Sequence, residues 1–287
     1  MIAIYKRELK SYFNSMMGYA VVGFFLIVLG FYFWGNNLSG QNPMIGSTLS
    51  SISFMYTIIL PVLTMRLLAE EQKQKTDQLL FSSPVSIWDV ILGKYFAVVT
   101  IFSIPMIVVC SMPLVLSMFG KVAFLRSYTT IFAFWLLGCV LMAIGMLISS
   151  MTDNQIIAVV VSFAVNIVIF LMLSIASIVP ETAFASLIGF SILALLVAIF
   201  IFIFVKNIIV AGGIFAVAEA AMIIVYVVKS EIFESTFSTA LSSISFYSRF
   251  SDFANGSFNI GSIVYYISFV CLFLYLTMQS IQKRRWS

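Results

Sequence analysis

The stretch "LAEEQKQKTDQLLFSSPVSIWDVILGKY", Leu68 to Tyr95, interrupts a chain that is otherwise strongly apolar. Charged residues make up only 9% of the 287-residue sequence, whereas soluble domains contain roughly a quarter. Seven charges fall in this one stretch: Glu70, Glu71, Lys73, Lys75, Asp77, Asp89 and Lys94. The stretch also separates two apolar runs, each about long enough to cross a bilayer. It therefore predicts a polar connection between two membrane-spanning helices.

The overall composition predicts the fold class. Hydrophobic residues make up 62% of the chain, so there is too little polar surface to cover a soluble core. We expect an all-α polytopic membrane protein in the cell's inner or plasma membrane, because helices satisfy every backbone polar group within one segment. The net charge of +4 is too small to favour nucleic acid as a partner, and the bilayer itself is the expected surrounding.

Apolar runs of the required length predict about eight transmembrane helices. They are 16–34, 51–67, 95–119, 128–149, 156–179, 186–205, 208–228 and 262–282. Only Lys206 and Asn207 separate two of these runs, which indicates a tight helical hairpin.

The distribution of Lys and Arg predicts the orientation of the chain. With both termini cytoplasmic, eleven of the 15 basic residues lie on the cytoplasmic side and four lie outside. We expect a single transmembrane domain, 1–287, that begins with an amphipathic interfacial helix at 1–15. A cytoplasmic loop at 68–94 and an outer loop at 229–261 are its longest connections.

The sequence lacks residues that several kinds of catalytic and metal sites require. There is no histidine, and the three cysteines, Cys110, Cys139 and Cys271, lie singly within apolar runs. We therefore expect no metal site, no Ser-His or Cys-His catalytic centre and no catalytic residue. The sequence also has no Gly-x4-Gly-Lys-Ser/Thr motif, so it is not expected to hold ATP in a P-loop.

The opening stretch has the pattern of a helix, a turn and a second helix. Good helix formers from Glu70 to about Leu80 predict a short helix, with Arg66 and Glu70 paired at i,i+4. Pro84 ends it, and the capping-box pattern of 86–89 starts the next span. The alternative is an ordinary solvated loop. The apolar triplet 79–81 favours a covering partner.

The same region resembles the first cytoplasmic loop of type-2 ABC exporter permeases. The resemblance is carried by a dispersed set of residues: Pro61, Arg66, Glu70, Glu71, Thr76, Leu79, Leu80, Pro84, Gly93 and Lys94. The stretches 149–163 and 247–286 are similar to the gliding-motility and nitrous-oxide-type branch of these permeases. The chain departs from the pattern at Lys75, where a Gly is frequent, and at 180–228, which predicts two spans beyond the usual six.

This resemblance implies a function and a set of partners. It implies the permease subunit of an ABC exporter, without enzyme activity of its own, in which a separate ABC ATPase subunit binds ATP and Mg. A second copy of the chain or a related permease would complete the pathway. The loop would act as the coupling helix that contacts the ATPase through Glu70, Glu71, Thr76, Asp77, Leu80 and Pro84, and the segment 4–13 would be the interfacial connecting helix.

Two polar residues within predicted spans have two interpretations each. Asn166 and Glu219 either line a pathway or serve helix packing, because polar groups at membrane depth face a bundle interior or a wet cavity. The nearly uncharged spans favour an amphiphilic or apolar substrate. There are two alternative functions. One is an intramembrane lipid-modifying enzyme, and the other is a channel or sensor subunit that does not transport.

Overall fold

The structure is a computed structural model that describes residues 1–75, 86–180, 182–205, 207–229 and 233–286. Within these ranges every regular element is helical and no strand occurs. The predicted all-α class is confirmed.

The helices follow the apolar runs of the sequence. In chain order they are α1 (Ile2–Asn14), α2 (Met16–Tyr32), α3 (Ile45–Ile52), α4 (Tyr56–Thr64), α5 (Arg66–Lys73), α6 (Ile87–Ser117), α7 (Phe124–Met151), α8 (Gln155–Ile178), α9 (Ala183–Val205), α10 (Ile208–Val228), α11 (Thr236–Ile244), α12 (Phe246–Ala254) and α13 (Ile260–Trp286). A π-helical turn, Phe33–Ser39, extends α2, and a 3-10 turn, Ser53–Met55, joins α3 to α4.

Six helical segments in the described ranges are long and apolar enough to cross a membrane. They are Met16–Ser39, Ile45–Lys73, Ile87–Ser117, Phe124–Met151, Gln155–Ile178 and Ile260–Arg284. The chain is therefore a multi-pass membrane protein. Each of these segments matches one of the eight predicted spans, although the helix bounds differ from the predicted ones at most ends.

The other two predicted spans correspond to α9 and α10. These helices pack against each other as the expected pair, with α9 ending at Val205 and α10 beginning at Ile208. Their described apolar stretches, Ala183–Ile199 and Gly212–Tyr226, are shorter than the six long segments. Whether this pair crosses the membrane stays a prediction, as do the total of eight spans and the cytoplasmic position of the termini.

The chain divides into two compact units. The first contains Met1–Phe170 and Arg249–Ser287, and the second contains Leu171–Ser248. In the second unit α9 packs against α10 and α11, and the rings of Phe190 and Phe237 meet edge to face with their centroids 5.1 Å apart.

The first unit is organised around α7. This helix is almost fully enclosed, and α4, α5, α6 and α13 all pack against it. By contrast α2 exposes large apolar side chains such as Phe24, Ile27 and Phe31. Exposed apolar surface of this extent suits contact with lipid, because lipid tails are as apolar as the side chains themselves.

Small residues on one face of α7 allow the close approach of α4 and α5. A Cβ atom at Gly145 would overlap Oγ1 of Thr64. One turn later, the Ser149 hydroxyl donates to the Met65 carbonyl at 2.9 Å and accepts from the amides of Leu68 and Ala69. Gly145 and Ser149 have the small-xxx-small spacing that brings membrane helices together. This pair holds α4 and α5 where they meet at Met65.

The opening stretch differs from its prediction in two respects. The short helix begins at Arg66 rather than Glu70, and it ends at Lys73, because Lys75 adopts a left-handed backbone with φ 55°. The remainder of the predicted helix, 76–80, lies outside the described residues. The next helix begins at Ile87 as predicted, but the Ser86 side chain makes no capping hydrogen bond. The predicted Arg66–Glu70 pair is confirmed, with Arg66 Nε 3.0 Å from Glu70 Oε2.

The left-handed backbone at Lys75 gives a test of this helix end. Lys75→Gly is expected to stabilise the protein by about 1 kcal/mol, since a left-handed conformation costs a residue with a Cβ roughly that much. The matched control is Lys73→Gly, two residues earlier in the helix, which is expected to destabilise by about 0.5–1 kcal/mol. Thermal unfolding midpoints in one detergent measure both, and equal shifts for the two variants would contradict the assignment.

Candidate functional site

The first helix packs against the start of α6 through a glycine. A Cβ atom at Gly93 would lie 3.1 Å from the Met1 carbonyl oxygen and 3.2 Å from Cβ of Ile4. Only glycine lets the two helices approach this closely without a shift of α1. The close approach brings the charged side of α1 next to Lys94 and to the end of α5.

Lys94 is the centre of a buried ion-pair cluster. Its side chain is 1% exposed, and Nζ lies 3.2 Å from Glu8 Oε1 and 3.0 Å from Glu71 Oε1. Nζ also donates to the Leu67 carbonyl at 2.7 Å. An ammonium has three donors and no acceptor, so these three contacts satisfy it completely. One side chain of α6 thereby joins α1 to the last turns of the second span.

Arg7 is the exposed member of the cluster and contacts both of its carboxylates. Its Nη2 lies 2.8 Å from Glu8 Oε1 and 2.7 Å from Glu71 Oε1. The two carboxylates therefore lie between one buried and one partly exposed cation. We call Arg7, Glu8, Glu71 and Lys94 the α1 cluster, and the end of the first unit that contains it the α1 end.

The α1 cluster changes the acidity of Glu8. Burial by itself would raise the pKa of this carboxyl, but attraction by Lys94 and Arg7 and their hydrogen bonds outweighs the burial and lowers the pKa. A lowered folded-state pKa means that the charge contributes stability above the ordinary carboxyl range and that this contribution is lost as the pH falls through the lowered value. The cluster is thus intact at neutral pH.

A second set of contacts connects α1 to α5 through Arg66. Its Nη1 and Nη2 donate to the Ser15 and Ser11 hydroxyls at 3.2 and 3.1 Å, and its guanidinium lies 5.0 Å from the centre of the Tyr12 ring. Tyr12 is fully buried and donates to the Leu63 carbonyl at 2.7 Å. Burial raises the pKa of this phenol, so it stays a neutral donor.

The opposite side of α5 is fixed to α7. The Gln72 amide donates to the Ser150 carbonyl at 3.0 Å, one residue beyond the Ser149 hydroxyl that holds the start of α5. The helix that leads into the charged loop therefore has bonds to α1 on one side and to α7 on the other. These contacts brace α5 from two sides.

The predicted coupling residues divide into two groups. Glu70 and Glu71 lie on α5, where Glu70 pairs with Arg66 and Glu71 joins the α1 cluster. Thr76, Asp77, Leu80 and Pro84 lie outside the described residues. The ATPase contact of all six stays a prediction, and the structure adds an intramolecular partner for each of the two glutamates.

The two polar residues predicted within spans belong to different units. Asn166, on α8, is 1% exposed, and among the described residues its amide atoms have no hydrogen-bond partner. Glu219, on α10, accepts a hydrogen bond from the Ser191 hydroxyl of α9 at 3.1 Å. The Glu219 contact fits the packing interpretation of a partnered acid, while the pathway interpretation stays a prediction for both residues.

Sequence reasoning missed Glu8 and Arg7 as members of the site. Glu8 and Lys94 are 86 positions apart, so no local spacing connects them. The Gly93–Lys94 pair gave a signal, since a glycine beside a lysine at the start of an apolar span indicates a close approach and a charge that needs a partner. Gly145 and Ser149 on α7 form a small-xxx-small motif, which is visible in the sequence and indicates close helix packing.

The architecture is that of a polytopic helical membrane protein whose N-terminal helix, α1, is bonded to α5 and to the start of α6. Residues 5–185 match the family described as ABC-2 family transporter protein. The match covers more than half of the sequence, so this chain belongs to the ABC-2 transporter family. It is accordingly a membrane permease component of an ABC transporter and not the ATPase. A comparison with the curated proteins finds no match.

Proposed function

We propose that this permease is the membrane subunit of an ABC exporter and that a separate ATPase subunit drives it through the loop at 68–94. The observation that carries the proposal is the double attachment of α5, to α1 through the α1 cluster and to α7 through Ser149 and Gln72. Transmission of ATPase closure requires a loop whose base moves with the spans. The sequence adds support, because the apolar triplet at 79–81 favours a covering partner.

Charge distribution supports the orientation that this function needs. Placing the α1 end in the cytoplasm puts eleven of the 15 basic residues on the side that the positive-inside rule favours. We propose the same side for both termini, the plasma or inner membrane as the location, and the branch of gliding-motility and nitrous-oxide-type permeases as the subgroup. Two permease subunits, identical or related, would form the pathway.

The composition of the spans supports a proposal for the substrate class. Their side chains are overwhelmingly apolar, and Phe alone accounts for 29 residues of the whole chain. A pathway built from such helices offers few partners for a highly charged solute, because an unpaired charge inside the membrane costs several kcal/mol. We therefore propose an amphiphilic or apolar substrate, with Asn166 and Glu219 as the polar positions to test along its route.

Site-specific photo-crosslinking tests the ATPase contact. A photoreactive amino acid at Thr76, Asp77 or Leu80 is expected to trap a protein with a P-loop, identified by mass spectrometry, when the permease is expressed in its native cell. The matched control carries the same amino acid at Phe119, which is exposed near the other end of α6, and is expected to trap no ATPase.

Two results would overturn different parts of the proposal. An ATPase that copurifies with the permease but crosslinks from none of the three loop positions would refute the coupling assignment. A permease that copurifies with no P-loop protein, in a preparation that retains its other partners, would refute the exporter function itself. Leu80→Asp is expected to weaken copurification at least tenfold, which corresponds to about 1.4 kcal/mol of interface energy.

A further inference from the structure

The first unit contains a cavity of about 730 Å³ at the end opposite the α1 cluster. Both α2 and α6 begin beside α1, and the cavity lies where these two helices end. The π-helical turn Phe33–Ser39, the loop that follows it and the residues after α6 form its walls. Its volume falls within the range of ordinary small-molecule sites, about 300–1,000 Å³. We call it the far-end cavity.

The lining of the far-end cavity has an apolar part and a polar part. Trp34, Leu38 and Phe119 are exposed apolar side chains, while Asn42 and Lys121 are among the polar residues of the lining. Lys121 is the one ionisable residue in the lining. Within the described ranges it forms no ion pair. The far-end cavity thus offers an uncompensated positive charge beside an apolar wall.

A second cation lies next to the first. A smaller cavity of about 180 Å³ shares Pro43 and Lys121 with the far-end cavity and is also lined by Arg126. The Arg126 guanidinium donates to the Ala254 carbonyl at 3.0 Å, and it lies close to Gly256, whose φ is +94°. None of the residues that line either cavity is acidic. The two cations together favour an anion.

The polar wall is held in place by Asn37. This side chain is 3% exposed, and its amide donates to the carbonyls of Asn42 and Met44 at 2.7 and 3.2 Å. Its Oδ1 accepts a hydrogen bond from the Thr48 hydroxyl. These bonds connect the π-helical turn to the loop and to α3. The wall is therefore formed before a ligand arrives, which reduces the entropy cost of binding.

We propose that the far-end cavity binds the head group of one anionic phospholipid from the surrounding leaflet. Lys121 contacts the phosphate, Arg126 adds a second positive charge, and the acyl chains run along Trp34 and Phe119. A lipid fits better than a soluble anion because the apolar wall is exposed at the end of spans that lie in a bilayer, where Trp side chains typically meet the head groups. This site is independent of the ATPase contact.

Tryptophan quenching tests the lipid site directly. The full-length permease is reconstituted in phosphatidylcholine that contains a small fraction of brominated phosphatidylglycerol, and the Trp34 signal is taken as the difference between the wild type and Trp34→Phe. Phosphatidylglycerol is expected to be enriched about fivefold at Trp34 over its bulk fraction, since one basic residue near a membrane surface contributes about that much. Brominated phosphatidylcholine at the same fraction is expected to show no enrichment.

Substitutions at Lys121 decide whether the charge causes the enrichment. Lys121→Gln is expected to abolish it and Lys121→Arg to retain it, while Lys229→Gln, which removes an exposed charge outside the lining, is expected to leave it unchanged. Equal quenching by the two lipids, or enrichment that persists in Lys121→Gln, would overturn the proposal. Loss of the enrichment in millimolar glycerol phosphate would also overturn it, because the site would then take a soluble anion.

Discussion

Replacing Lys94 with methionine is expected to destabilise the permease by about 3 kcal/mol, the scale for removing one partner of a buried ion pair. Methionine keeps the length and apolar character of the stem, so the change isolates the ammonium. Without it, Glu8 and Glu71, which are 13% and 17% exposed, face each other with Arg7 as the shared cation. The loss should appear as detachment of α1 from the start of α6.

The loss of stability is measured by thermal or SDS-induced unfolding, and the detachment by proteolysis within residues 1–15. Lys10→Met is the matched control, because Lys10 is an exposed lysine on α1 and its substitution is expected to change stability by less than about 0.5 kcal/mol. In the double variant Lys94→Met/Glu71→Gln one of the uncompensated charges is gone, and we expect part of the stability to return. A double variant whose loss equals the sum of the single losses would contradict direct coupling.

The features that could be predicted from the sequence are those that depend on local patterns. Apolar length fixed the positions of six long helical segments, because a helix in lipid must satisfy its own backbone. The Arg66–Glu70 pair could also be predicted, because i,i+4 neighbours on one helix meet wherever the helix lies. The start of α6 at Ile87 also follows from residues within one turn of it.

The features that could not be predicted depend on contacts between distant segments. Lys94 and Glu71 are both charges in the opening stretch, which suggested a surface for a partner, yet they bind each other and a residue of α1. Lys75 gave no sign of its left-handed backbone, because lysine is an ordinary helix former and only the family pattern places a glycine there. Glu70, Glu71 and Lys94 thus form ion pairs within the chain, and contact with the ATPase stays a prediction for all six coupling residues.

A valine at position 145 is expected to destabilise the permease by about 3 kcal/mol, at the upper end of the usual cost of overpacking a core. Gly145 and Thr64 are both buried, and the first added carbon would already overlap the threonine hydroxyl. Relief requires α4 and α7 to separate, which also pulls the Ser149 hydroxyl from the Met65 carbonyl. The substitution is therefore expected to weaken both the packing of the core and the Ser149 hydrogen bonds that hold α5.

The matched control and the rescue both come from the same chain. Gly30 in α2 is exposed, and a Cβ atom added there would meet no heavy atom within 4 Å. Gly30→Val is therefore expected to be neutral or slightly stabilising, because valine is a better helix former than glycine. Thr64→Ala removes the hydroxyl that Gly145→Val overlaps and is expected to restore part of the lost stability. Equal losses for the two glycine substitutions would show that helix propensity, not the contact of α4 with α7, determines the result.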